Sequence, residues 1–204
     1  MNLLLVRHGQ TEHNRRNLAL GRDDVPLNET GLRQAEALSR ALSEERLTAV
    51  YASPLERARR TAEAIARPHE LEVVIDDGLI EMDVGEMDGM PFPELREKFP
   101  AFIESWLGSE GANERMPGGE RLLDVRERAS AALSAIVKRH PDGRVCLVSH
   151  NFVILSLLTH LLGLELSGFR RLKHSVAAVT RVEWRGEFPM VVSLNDTCHL
   201  AGIT

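Results

Sequence analysis

The amino-acid sequence predicts an α/β fold: a three-layer sandwich whose mostly parallel central sheet is flanked by helices, with a helical lid insertion. Two patterns and one placement carry this reading. Short apolar runs rich in β-branched residues recur at 3–6, 48–52, 72–75 and 145–148, and stretches of helical period separate several of them. Alternation of this kind is how a chain builds a parallel sheet covered on both faces. Polar clusters then follow three of the runs, at the strand ends where an open α/β sheet binds its ligands.

The elements follow in chain order. The run 3–6 ends on Arg7-His8-Gly9. After Gly31, residues Leu32, Ala35, Leu38 and Leu42 fall near one helical face and predict a covering helix. Ser53-Pro54-Leu55-Glu56 combines an N-cap serine, a proline at the first helical position and a capping-box glutamate, so a helix starts directly after the second strand, with Arg57 in its first turn. The stretch 91–106, with its prolines and aromatics, is a helical excursion, and the lid subregion runs over 86–116. Leu122, Val125, Ala129, Ala132, Leu133 and Ile136 predict a second covering helix. Segments 180–184 and 190–194 flank Arg185-Gly186-Glu187 as a hairpin.

Composition bounds what such a fold can do. No linker-like shift divides the chain, so residues 1–204 read as a single domain, and 43% hydrophobic with 27% charged residues is an ordinary globular balance. A net charge of -5 argues against nucleic acid and against anionic membrane as partners. The first apolar run is too short for a signal peptide, and 152–166 is too short to span a bilayer, so the cytoplasm is the expected location. Cys146 and Cys198 form no Cys-x-x-Cys pair, and the eight histidines form no His-Glu-x-x-His pattern. No metal and no cofactor is expected.

The chemistry lies at the strand ends. Neutral imidazole is a nucleophile whose second nitrogen can be held by a hydrogen bond, and His8 suits that part. A phosphoryl group in transfer spreads negative charge over its oxygens, which Arg7, Arg57 and a protonated or N–H-donating His150 would meet. The departing alkoxide needs a proton, and Glu81 in Leu79-Ile80-Glu81-Met82-Asp83 is the candidate acid.

These residues sit in an ordered series: Leu5-Val6-Arg7-His8-Gly9-Gln10-Thr11-Glu12-His13-Asn14, Asp24-Val25-Pro26-Leu27 with Thr30-Gly31-Leu32-Arg33-Gln34-Ala35, Ser53-Pro54-Leu55-Glu56-Arg57-Ala58, Glu81 with Gly85 and Gly89, Pro117-Gly118-Gly119-Glu120, and Val148-Ser149-His150. Over nearly its whole length the chain resembles the histidine phosphatase, or phosphoglycerate mutase-like, superfamily. The resemblance implies a phosphohistidine at His8, phosphate held by Arg7, Asn14, Arg57 and His150, and proton transfer by Glu81 without a metal. His13, Leu20 and Asn151 depart from the pattern, which has an aromatic residue, glutamine and glycine there. The ending Asn195-Asp196-Thr197-Cys198-His199-Leu200 resembles the tail of phosphatase members, including metal-independent phosphoserine phosphatases, and implies that His199 contacts the leaving group.

Three activities fit such a site. A phosphatase passes the phosphoryl group to water, a mutase passes it to a bound sugar acid, and a silent scaffold only binds phosphate. A mutase retains a bisphosphorylated acid and needs extra cations over the site. The region 87–115 offers Arg96, Lys98 and Arg115 against Asp88, Glu94, Glu97, Glu104, Glu110 and Glu114, with Glu86 just outside. An acidic lid predicts hydrolysis of a small-molecule phosphate ester, with phosphoglycerate mutase as the alternative. Phosphoserine, α-ribazole phosphate, sugar phosphates and a broad range of esters all remain open as substrates. The C-terminal strand region could form the edge of a homodimer.

Overall fold

The computed structural model describes residues 1–108 and 111–203, so Glu110, counted above among the lid carboxylates, lies outside the described residues. The chain runs β1 (Asn2–Arg7), α1 (Glu12–Arg15), α2 (Glu29–Leu42), β2 (Ala49–Ala52), α3 (Glu56–Ala66), β3 (Val73–Ile75), α4 (Phe92–Lys98), α5 (Pro100–Leu107), α6 (Leu122–Arg139), β4 (Arg144–Ser149), α7 (Asn151–Leu161), β5 (Val179–Arg185) and β6 (Phe188–Asp196). Six strands form one sheet in the order β3-β2-β4-β1-β5-β6. The first four are mutually parallel, while β5 runs antiparallel to β1 and to β6. The mostly parallel α/β sheet read from the sequence is therefore the one observed.

Strand periodicity splits the core into two layers. Leu3 and Leu5 point toward α6 and α7, whereas Leu4 and Val6 point toward α2 and α3. Both faces of β1 are dry, which is why its sequence is an unbroken apolar run and not an alternating one. Among the described residues no helix is long and apolar enough to cross a membrane.

Three local expectations are corrected. Helix α3 begins at Glu56, not beside Ser53: the N-cap position is Leu55, with no side-chain cap, and the Glu56 N–H donates to Asp24 Oδ1 at 2.7 Å. Leu32 is 49% exposed, although Ala35, Leu38 and Leu42 are buried as expected. Helix α2 instead presses Gly31 against the loop after β1, where a Cβ would lie 2.0 Å from the Gln10 carbonyl oxygen, and this contact turns Leu32 outward. The hairpin is longer than expected, its loop reduced to Gly186 and Glu187 with Gly186 at φ +64°.

The lid excursion is two helices. Pro100 lacks the N–H that would continue α4, so the chain breaks at Phe99 and restarts as α5. Trp106 near the end of α5 packs on Phe102, Phe152 and Phe169, with ring centroids 5.9, 6.1 and 5.7 Å away. These contacts fasten the lid to α7.

Candidate active site

Parallel pairing of β1 with β4 places Arg7 opposite Ser149, and the His8 N–H continues the ladder to the Ser149 carbonyl at 3.0 Å. The two strands thus end together and set His8 beside His150, ring centroids 5.1 Å apart. Nδ1 of His8 lies 2.7 Å from the Gly9 carbonyl oxygen, which can only accept. The ring proton therefore sits on Nδ1 and the lone pair on Nε2. Burial, then the positive fields of Arg57 and Arg7, holds the imidazole pKa well below its ordinary value, so the ring is neutral at pH 7.

His150 is fully buried, and its Nε2 is 2.6 Å from Ser53 Oγ. Ser53 Oγ accepts the Leu55 N–H, and among the described residues its hydroxyl proton has no acceptor other than this nitrogen. His150 accordingly carries its proton on Nδ1, an atom with no partner among the described residues. Burial and the neighbouring cations also keep this ring uncharged.

Arg57, in the first turn of α3, is entirely buried. Its Nη1 donates to the Asp23 carbonyl at 2.7 Å and its Nη2 to the Gly21 carbonyl at 2.6 Å, while Nε has no partner. Thr61 links that helix to the loop that carries His8, donating to the Arg57 carbonyl and accepting the Gly9 N–H at 3.1 Å. Arg7 donates through Nη1 to the His174 carbonyl and to Asn151 Oδ1, at 2.7 and 3.0 Å. Burial brings its pKa down to about 10, against the raising field of Glu81. Asn14 has its Oδ1 occupied by the Thr11 N–H and hydroxyl, which leaves its NH2 as the group it offers.

Glu81 is buried, with Oε1 accepting the Met82 N–H at 2.8 Å and Oε2 the Phe152 N–H at 3.2 Å. These bonds favour the carboxylate, but the burial penalty exceeds them and the pKa is raised. A clamp fixes the peptide behind it. Arg128 donates to the carbonyls of Gly78, Ile80 and Glu81; Glu120 bridges Arg128 and Arg22 and also accepts the Asp83 N–H. Arg22 and Arg128 carried no signal in the sequence, because their shared partner is Glu120, 98 residues beyond Arg22. Glu120 stood in a motif without a role.

Arg7, His8, Asn14 and Glu81 lie at one end of a cavity of about 600 Å³ whose opposite wall is the lid. Arg57 and His150 are not among its lining residues, although the His150 ring lies beside that of His8. Leu20 and Asn151, two of the departures from the family pattern, do line it. His199 does not: its Nε2 donates to the Ala177 carbonyl at 2.9 Å, behind the cavity residue Val176. None of the described lid carboxylates lines the cavity: Asp88 accepts from the N–H groups of Gly21 and Asp23, and Glu114 from the Ser105 hydroxyl. Among the described residues no group of three or more His, Cys, Asp or Glu side chains is placed to hold a metal ion.

The arrangement combines a neutral nucleophile, buried cations around it and a carboxyl group held toward its protonated form. The family model described as "Histidine phosphatase superfamily (branch 1)" matches residues 3–197. Phosphoserine phosphatase 1 of Hydrogenobacter thermophilus is 36% identical over 198 residues, covering 97% of this chain and 93% of that one. A protein named probable phosphoglycerate mutase GpmB, from Yersinia pestis, is 32% identical over 206 residues, covering 98% and 95%. The solved structure of Bacillus stearothermophilus YhfR superposes with a TM-score of 0.91 at 29% identity, covering 98% of each chain.

Proposed function

Because the chain belongs to branch 1 of the histidine phosphatase superfamily, we propose that it hydrolyses a small phosphate monoester without a metal, through a phosphohistidine at His8. The observation that supports this best is the fixed tautomer of His8, whose free Nε2 shares a cavity end with Arg7 and the buried Glu81. Nε2 attacks phosphorus, the bond to the ester oxygen breaks, and the Glu81 proton goes to that oxygen to release an alcohol. Water then attacks phosphorus and its proton returns to Glu81. The P–N bond breaks and inorganic phosphate leaves. Arg7, the Asn14 NH2, the Arg57 Nε–H and the His150 Nδ1–H meet the charge on the phosphoryl oxygens.

Hydrolysis is preferred to mutase chemistry because the cations lining the cavity, among the described residues, are Arg7 and Arg96 alone. A retained bisphosphorylated acid would need more. The support therefore moves from the acidity of the lid, whose described carboxylates do not line the cavity, to the scarcity of cations inside. The mutase reading rests on the name of the 32% identical relative. A homodimer is supported by edge strand β6, whose Phe188, Met190, Val192 and Leu194 are exposed at alternate positions.

Alkali-quenched trapping of labelled phosphate tests the nucleophile. Label on wild type but not on His8→Ala is expected, with hydrolysis reduced on the order of 10⁴-fold in the variant. Isomerisation of 3-phosphoglycerate, given bisphosphoglycerate, faster than phosphate release would reverse the choice of reaction. Absence of any phosphoprotein across all esters tried would leave the scaffold.

A further inference from the structure

The lid end of the cavity differs in chemistry from the end that holds His8. Among the described residues, the charged side chains on its lining are Arg7, Glu81 and Arg96. Arg7 and Glu81 belong to the reacting end. The rest of the lining is largely apolar, with Leu20, Val84, Met87, Phe102, Ile103 and Trp106 among its residues, and carries the side-chain amides of Gln10, Asn14, Asn17 and Asn151. This wall is pre-formed: Trp106 is held by Phe102, Phe152 and Phe169, and the Arg170 guanidinium lies 5.3 Å from its ring centroid. Phe92 reaches the cavity from α4 while remaining 55% exposed, so apolar surface continues to the mouth.

Such a wall discriminates by what it cannot pair. An alcohol bearing an ammonium group needs an acceptor beside it, and the one carboxylate on the lining is Glu81. Both its oxygens already take backbone N–H groups, and its proton is needed by the leaving oxygen. Arg96 could meet a carboxylate, but among the described residues the lining offers an ammonium only neutral acceptors besides Glu81: Asn17, and Gln10, Asn14 and Asn151, whose side-chain oxygens already accept from Asn28, Thr11 and Arg7. Burying a charge without an opposite one is costly. An apolar body gains instead, by about fourfold in binding for each methylene removed from water. The volume, about 600 Å³, falls in the range that encloses a ligand much larger than serine.

Resting on the hydrolase reading, we propose that the preferred substrates are phosphate monoesters of alcohols with a bulky apolar body, arylalkyl or medium-chain alkyl, which lies against Trp106 and Phe102. The phosphate end is set by Arg7 and His8, and the lid reads the rest.

The test is phosphate release by the full-length enzyme from ethyl, butyl, hexyl and 2-phenylethyl phosphate, with L-phosphoserine alongside. The four alcohols have nearly equal acidity, so differences in kcat/KM report the wall and not the ease of leaving. Hexyl phosphate is expected to exceed ethyl phosphate on the order of 100-fold, with phosphoserine nearer to ethyl. Trp106→Ala lowers the hexyl-to-ethyl ratio about tenfold, and Phe92→Ala, at an exposed position that folding does not depend on, lowers it by less. A flat series with phosphate release intact, phosphoserine exceeding hexyl phosphate, or a ratio unmoved in both variants overturns the substrate class and leaves hydrolysis standing. No release from any ester, together with no label on His8, overturns the hydrolase reading and this inference with it.

Discussion

Ser53 Oγ lies 2.6 Å from Nε2 of His150, across 97 residues of sequence, and fixes which nitrogen of that ring carries the proton. Removing the hydroxyl frees the tautomer. Ser53→Ala is expected to lower kcat/KM about tenfold, the effect of one buried hydrogen bond, and Ser53→Thr to restore most of it. Steady-state rates on one ester, with thermal melts as the folding control, decide this; an unchanged rate in Ser53→Ala would show that the tautomer does not matter.

The pH profile follows from two opposite shifts. His8 must be neutral to attack, and its lowered pKa places the acid limb below pH 6.5. Glu81 must be protonated to serve the leaving oxygen, and its raised pKa places the alkaline limb above 4.5. Glu81→Gln should abolish the alkaline limb and cut turnover of alkyl phosphates on the order of 10²-fold or more. Turnover of 4-nitrophenyl phosphate, whose leaving group needs no proton, should fall much less. Equal losses on the two esters would remove Glu81 from the role of acid.

Arg128 is a positioning residue, since it touches the carbonyls behind Glu81 and not the cavity. Arg128→Lys keeps the charge but cannot reach several acceptors at once. The expected result is a fall in kcat of about tenfold on alkyl phosphates with little change in KM, together with a displaced alkaline limb. If only the melting temperature moves, the clamp is structural and no more.

Stability should decline on the acid side. His174 is buried, and its pKa is lowered from 6.5 to about 4. The unfolded chain therefore binds a proton in this window that the folded chain refuses. The contribution is present above pH 6.5 and is lost as the pH falls toward 4, reaching about 2 kcal/mol by pH 5. His8 and His150 act in the same direction. Urea midpoints at pH 7 and pH 5 should differ less in His174→Gln than in wild type; an equal difference would contradict the assignment.

Phe188 is 79% exposed at one end of the edge strand. Sedimentation should show a dimer for the wild type and a monomer for Val192→Glu, which puts a charge in the middle of the apolar row. A monomeric wild type would leave that row without a partner copy.

Much of this was readable along the chain. Strand β1 announced itself because burial on both faces leaves four consecutive apolar residues, and the lid because prolines at 91, 93 and 100 interrupt helix and aromatics crowd the gaps. His8, Arg57, Glu81 and His150 stood in motifs whose order could be matched. What escaped depends on contacts between distant segments. Ser53 has the sequence signature of a helix cap, yet its hydroxyl serves His150, and Asp24 meets the helix end instead. Leu32 fits the helical period, but the close approach of Gly31 to Gln10 rotates the face. That the described lid carboxylates stay off the cavity lining is likewise a property of tertiary packing.

Phe152 holds Oε2 of Glu81 with its backbone N–H and packs its ring on Trp106 of the lid. A single residue thus touches both the Glu81 carboxyl and the lid wall that, on the reading proposed above, meets the leaving group. If Glu81 is the acid and the lid reads the alcohol, remodelling the lid at Trp106 also bears on the residue that seats Glu81, which ties specificity to turnover. The exposed Phe92, which has no such tie to Phe152, is the freer position at which to alter the wall.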